Sequence, residues 1–230
     1  MRALRILLIT AVVLGGLFVL ADRLAVNYAE DEAAERIRAS QGLTGPAEVS
    51  IDGFPFLTQV MGKELDRVDV TLTGVEASAG GRKVRVTEMK AALERVRLED
   101  NFSRAVAASA TGTARISYAD LGAASEEDVT VGYGGNGKVK VTGTVDVPVL
   151  GSITRSVLSS VSITGGDTIR VRADKVPGEG LPGVEDRIRE RTDFDRQIGG
   201  LPTGLKLRKV EATSDGVVIS VSGTNVALAG

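Results

Sequence analysis

Ile51-Asp52-Gly53-Phe54-Pro55-Phe56-Leu57-Thr58-Gln59 is the stretch from which the rest of the chain is read. The chain carries five Phe, and two of them stand here on either side of one proline. Pro55 fixes its own φ and pushes Phe54 towards an extended conformation, so the two rings are held apart on a stiff backbone. Gly53 before them admits a turn, or a close backbone approach that a side chain would block. Two roles fit. The stretch can be a strand-to-loop corner whose rings plug one end of a core, or a rigid apolar lip at the mouth of a ligand cavity. Buried aromatics most often serve packing, which favours the corner.

Towards the N-terminus, Ile6 to Ala21 is free of charge, and Leu4 extends the run past Arg5. A bilayer span takes about 20 apolar residues, and Arg side chains near its end can snorkel to the headgroups. The run therefore stands between an uncleaved anchor and a signal-peptide core, with Val19-Leu20-Ala21 as a passable cleavage site. Arg2 and Arg5 precede it, and Asp22, Glu30, Asp31 and Glu32 follow, which predicts an exported body. Leu24 to Arg38 reads as a helix directly after the run: Leu24, Tyr28 and Ile37 with Ala25, Ala29 and Ala33 mark one narrow face, suited to lying against a sheet. Ser40-Gln41-Gly42 can end it. The absence of a linker favours an anchor. The expected organisation is an anchor over residues 1–22 and a body over residues 23–230.

Towards the C-terminus the period changes from helical to two. Val49/Ile51, Val68/Val70/Leu72 and Val84/Val86 alternate with polar residues as half-buried strands do. Met89 to Leu98 mixes helical spacing with alternation and is read as a strand with a bulge. Ala108, Ala110, Gly112, Ala114, Ile116 and Tyr118 then alternate with Ser, Thr and Arg, giving a long strand with a flat inner face. Small inward side chains leave space in front of the sheet, which a close-packed helix or a ligand must fill. Tyr118-Ala119-Asp120-Leu121 starts a helical turn. A hairpin follows, with Val129/Val131/Tyr133 and Val139 to Val147 around Gly134-Gly135-Asn136-Gly137. Val157/Val161/Ile163, Ile169/Val171/Ala173, a short helix from Val184 to Arg191, and strands at Leu205/Leu207, Val217/Ile219/Val221 and Val226/Leu228 complete the pattern.

Composition narrows the chemistry. A chain of 230 residues with net charge −2 offers no basic surface for nucleic acid. With no His and no Cys, a Ser-His-Asp triad, a thiolate metal site and a disulfide framework are all excluded. No cofactor is expected, and an enzyme is not. Gly178-x-Gly180-x-x-Gly183 matches a dinucleotide fingerprint by letters, but Pro182 removes an amide, Glu179 adds negative charge, and the surroundings are hairpins. It is read as a loop. Asp193 and Asp195 could hold a divalent metal, but without a further acidic cluster they are read as capping and surface charge. Arg187, Arg189, Arg191 and Arg196 interleave with acids, as a self-paired solvated surface does. The alternative for Arg187 and Arg191 is an anion-contacting rim for a lipid headgroup.

Gly53-Phe54-Pro55-Phe56-Leu57 within Ile51–Gln59, and the ending Phe194…Ile198-Gly199-Gly200-Leu201-Pro202-Thr203-Gly204-Leu205 with Gly216-Val217-Val218-Ile219, resemble the LmeA-like family of actinobacterial envelope proteins, described as phospholipid-binding. The similarity runs from about Leu24 to Leu228. It implies an elongated lipid-binding body, with phospholipid and membrane as partners. Family members have been linked to lipomannan elongation, so an enzyme or enzyme subunit of glycolipid assembly, or a structural envelope protein without ligand, stand as alternatives.

The expected fold is α+β: a long curved antiparallel sheet with packed helices enclosing an elongated apolar cavity, preceded by an N-terminal membrane helix. The expected function is binding of phospholipid on the outer face of the cytoplasmic membrane, during assembly of the cell envelope. Phe54, Phe56 and Leu57 are expected to border the cavity mouth, and Ala110, Gly112, Ala114 and Ile116 to line its wall.

Overall fold

A computed structural model describes residues 2–43, 45–79, 82–125, 129–147, 151–175, 189, 193–199 and 201–228. One helix, α1 (Arg2–Gln41), takes in both the apolar run and the helix expected after it, but its packed face is Asp22, Ala25, Val26 and Ala29, whereas Leu24 and Tyr28, expected on that face, are exposed. Gly42 at φ +59 ends it, with the Leu43 amide donating back to the Arg38 carbonyl, the left-handed cap that glycine favours. The rest of the described chain is antiparallel sheet with two short helices, so the α+β class holds.

The strands divide between two sheets, a division the sequence pattern did not reveal. The first combines β1 (Ala47–Asp52), β2 (Glu64–Ala79), β3 (Arg82–Glu99) and β4 (Arg104–Ile116) with the C-terminal β10 (Leu205–Thr213) and β11 (Gly216–Leu228), in the order β1-β2-β3-β4-β11-β10. The second is a meander of β5 (Val129–Gly135), β6 (Lys138–Val147), β7 (Gly151–Thr164), β8 (Thr168–Lys175) and β9 (Phe194–Gln197). Its first hairpin turns at Asn136 and Gly137, φ +50 and +72, as the Gly-rich turn predicts. Helix α2 (Phe56–Gly62) separates β1 from β2, and α3 (Tyr118–Ala123) follows β4. Ser117 caps α3 by accepting from the Asp120 amide. Of the helix expected from Val184 to Arg191 only Arg189 is described, and the Gly178–Gly183 loop, Arg187 and Arg191 lie outside the described residues.

One row interrupts four strands of the six-stranded sheet. Asp66, Arg95, Ala108 and Asn225 stand side by side on β2, β3, β4 and β11, and each ladder skips them while keeping its register on both sides. Arg95 and Asn225 have φ of +48 and +50 there. Because all four strands carry the irregularity together, the register is kept, but the inward-facing parity switches. Leu65 and Val68, Leu93 and Val96, and Ala107 and Ala110 are therefore all buried, although each pair is three residues apart. The bulge expected between Met89 and Leu98 is this interruption at Arg95, without an extra residue on one strand. A true register shift occurs instead on β10, between Leu207 and Lys209.

One face of this sheet carries two packed clusters. Val26 of α1 and Phe56 of α2 cover Leu65, Val68, Leu93, Val96, Ala107, Ala110 and Val226 around the interruption. Farther along, Ala212 and Val217 pack with Val139, supported by Tyr118, Leu121, Val131 and Val161, so that α3 and the second sheet cover that end. The Leu207 amide donates to the Gly166 carbonyl at 3.0 Å, joining the sheets at β10.

Candidate functional site

The motif Gly53–Leu57 forms the base of the body, and a buried carboxylate of α1 holds it. β1 runs antiparallel along α1. Its beginning lies with Ala34 and Arg38 around a charged cleft of about 480 Å³, and the Ile51 amide donates to Glu30 at 2.7 Å. Past Asp52 the chain reaches Asp22, the first charge after the apolar run, whose Oδ1 accepts from the Leu57 amide at 2.8 Å. Pro55 supplies no side-chain cap to α2. Asp22 does so from another element, satisfying an amide that a helix start leaves free. Asp22 is fully buried, and its Oδ2 accepts from Arg23 at 3.3 Å.

The two phenyl rings part company at this seat. Phe56 is 7% exposed and packs in the core beside Val26 and Leu65. Phe54 is 57% exposed, with the Arg23 guanidinium 5.1 Å from its ring centroid. Leu57 is half-buried at the edge of the same cluster. Gly53 is required by geometry: φ is +106, and a Cβ there would meet Gln59 Nε2 at 2.5 Å and Asp66 Oδ2 at 2.6 Å. Gln59 in turn accepts from the Asp66 amide at 2.8 Å, which ties α2 to the interrupting row. The strand-to-loop corner expected for this stretch is instead a strand-to-helix corner. A seven-residue helix is too short to leave a periodic signature, and its cap comes from residue 22.

The small-residue stretch lies on the inner face and runs between the two clusters. Ala110 belongs to the α1–α2 core, whereas Ile116 pairs with Val217 of the other cluster. Between them Gly112 stands in the row Val70–Ala91–Gly112–Val221–Leu207. Ala114 stands in the row Leu72–Met89–Ala114–Ile219–Val210. Gly112, Ala114 and Ile116 are half-buried. The described residues do not outline an enclosed cavity over these rows. Gly112 is already close to its neighbours, since a Cβ would meet the Lys90 carbonyl oxygen and Val221 Cγ2 at 3.1 Å each.

The Asp193-x-Asp195 pair is occupied by protein partners. Asp195 takes a forked hydrogen bond from Arg170 and an ion pair from Arg172, and Asp193 accepts from the Ala173 amide at 2.7 Å. Among the described residues no three acidic side chains converge as a metal site would need.

Sequence reasoning missed Asp22. It counted only as one more acid after the apolar run. The available signal was a lone acid amid the small-residue face of Ala25 and Ala29, where a helix packed on a body would bury it. The bulge expected within Met89–Leu98 marked the interruption on one strand, but its spread across four strands was missed, although Val217/Ile219/Val221 and Val226/Leu228 differ in parity.

None of the curated proteins is similar enough in sequence to count as a match. Among solved structures, that of the di-domain ARO/CYC StfQ from the steffimycin biosynthetic pathway aligns over 87% of this chain and 80% of its own. At 10% identity and a TM-score of 0.19, that likeness is too slight to speak to fold or function. The model of a phospholipid-binding family matches residues 20–222, from just before Asp22, through the Gly-Phe-Pro-Phe-Leu seat, to the middle of β11, and the chain therefore belongs to the LmeA-like phospholipid-binding family.

Proposed function

We propose that the protein is anchored in the cytoplasmic membrane by the first part of α1, with its body outside, and that it holds or presents phospholipid during assembly of the envelope and its glycolipids. The acyl chains lie along the wall of Ala110, Gly112, Ala114 and Ile116, and Phe54 and Leu57 border the mouth with Phe56 as the buried root that fixes them. Arg187 and Arg191 are the candidate headgroup contacts. One observation carries this reading: in a member of a phospholipid-binding family, the small, half-buried Gly112 and Ala114 lie between two packed clusters on one sheet face. Burying acyl methylenes is worth about 0.8 kcal/mol each, so a dozen would offset much of the cost of ordering a lipid. With neither His nor Cys in the chain, the proposed role is binding rather than catalysis.

Two measurements on one variant test the reading. The purified protein should yield phospholipid on solvent extraction followed by mass spectrometry. Ala114→Phe should remove that lipid while the melting temperature stays within a few degrees. If the wall is instead close-packed core, Ala114→Phe should destabilise by about 1–3 kcal/mol through overpacking and leave bound lipid unchanged. That second outcome would overturn the assignment of the wall.

A further inference from the structure

We infer that the base of the body, the Gly53–Leu57 corner, is seated in the headgroup layer of the bilayer, with the Phe54 ring inserted there. The inference rests on the proposed anchoring and identifies which end of the body meets the membrane.

The argument is one of levels along a rigid rod. The run from Ile6 to Ala21 is about 24 Å long at about 1.5 Å per residue, nearly the thickness of a hydrocarbon core. α1 continues unbroken to Gln41, so no linker can lift the body away. The body is fastened to the rod at successive heights: Gly45–Ala47 near Ala34 to Arg38, Ile51 at Glu30, and Leu57 at Asp22. β1 thus descends towards the apolar run, and its lowest fastening is at the residue immediately after that run. The headgroup layer is several ångströms thick on each side, so residues 22 to 25 and everything fastened at their height lie within it.

What the protein presents at that height suits the layer. Phe54 is exposed on a short corner, and the Arg23 guanidinium against its ring is half-exposed, within reach of a lipid phosphate. On the face of α1 away from the body, Leu24 at the same height is 63% exposed, and Tyr28, one turn above, is 72% exposed, with a side chain that slants back towards the layer. A water-facing Phe on a corner held by a buried carboxylate has no packing reason. Against a bilayer it has one.

The chain contains no tryptophan, so a single one reports alone. The full chain carrying Phe54→Trp would be reconstituted into vesicles whose only brominated component is a phospholipid that covalently spans both leaflets. Such a lipid cannot be drawn into a protein cavity, so it quenches only a ring that is in the bilayer. Expected are a blue-shifted emission and loss of most of its intensity, whereas Tyr133→Trp, on β5 of the second sheet, keeps a water-like spectrum and its intensity. Unquenched, water-like emission from the Phe54→Trp chain would overturn the seating, whichever lipid the protein carries. Quenching in a protein that yields no lipid on extraction would leave the seating intact and remove the cargo role, so the two readings fail separately.

Discussion

The two sheets of this molecule differ in how much apolar surface they bury. The six-stranded sheet buries one continuous cluster from Val26 and Phe56 to Val226, closed by the α1 helix and packed around the Asp66–Asn225 row. The five-stranded sheet buries Val157 with Ala173 and shares Val139 with its neighbour. Exposed or half-exposed side chains bond across strands in both sheets: Arg67 on Asp52, Lys83 on Glu76 and Arg115 on Glu88 in the first, and Arg170 and Arg172 on Asp195, Lys138 on Asp174, and Gln197 on Asp167 in the second. Apolar burial is insensitive to salt and strongly cooperative, whereas surface ion pairs are screened and individually weak. The first sheet should therefore set global stability, and the second should open first.

The largest expected effect probes the seat. Phe56→Ala removes a ring that is 7% exposed, between α1 and that row, and should cost about 3–5 kcal/mol of global stability by denaturant melting. Amide exchange in β2 and β3 should accelerate together, because one cluster supports both strands. If instead the loss is below about 1 kcal/mol, the ring belongs to an adaptable mouth rather than a core, and the contrast between the sheets fails.

An opposite sign is expected in the second sheet. Ser159 on β7 is fully buried, and its hydroxyl finds no hydrogen-bond partner among the described residues. An unsatisfied buried polar group costs about 1–3 kcal/mol, so Ser159→Ala should stabilise, most visibly in the exchange rates of β6 to β8. A loss of stability of that size would mean that the hydroxyl is bonded, and that the second sheet is better made than this comparison holds.

The same contrast explains how much the sequence disclosed. Alternation is a local signal. It located the β5–β6 hairpin, the β7–β8 pair and the long β4 strand, because each of these is settled by neighbours in sequence. The continuous α1 was foreseen because no breaker separates Ala21 from Leu24. What stayed hidden depends on distant partners. The sheet partition needs β10 and β11 to return beside β4, which no local pattern encodes. The irregular spacing at Leu93 and Val96 reads as a bulge in one strand, and only the fold shows that four strands carry the interruption in one row. Asp22 and Leu57 are 35 residues apart, and only the fold makes one the cap of the other. Of the candidate site, the exposed and buried phenyl rings could not be told apart by spacing alone. Pro55 separates them, but the docking of α1 decides which ring is covered.

The smallest effect concerns the ionic bonding of the second sheet and its pH dependence. Asp174 on β8 accepts from Ser160 on β7 and pairs with Lys138 on β6 at 2.7 Å, so one carboxylate spans three strands. The hydrogen bond from Lys138 and then that from Ser160 hold its carboxyl below the usual value, with burial working against them. A carboxyl whose folded pKa is depressed adds stability that is fully present above its unfolded value of about 3.9, and that is lost as pH falls through the folded value. Above about pH 5 this contribution should therefore be flat, and it should decline only in acid. Asp174→Asn keeps the shape and removes the charge. It should cost less than about 1 kcal/mol at neutral pH, since the pair is partly solvated, and the cost should shrink further in high salt. Between about pH 4 and pH 2 the variant should lose β6–β8 exchange protection less steeply than the parent, while β2–β4 protection falls alike in both. Matching slopes in the second sheet would show that Asp174 carries no ionic share of its stability. A cost at neutral pH as large as that of Phe56→Ala would mean that a half-exposed ion pair supports the second sheet as strongly as core burial supports the first.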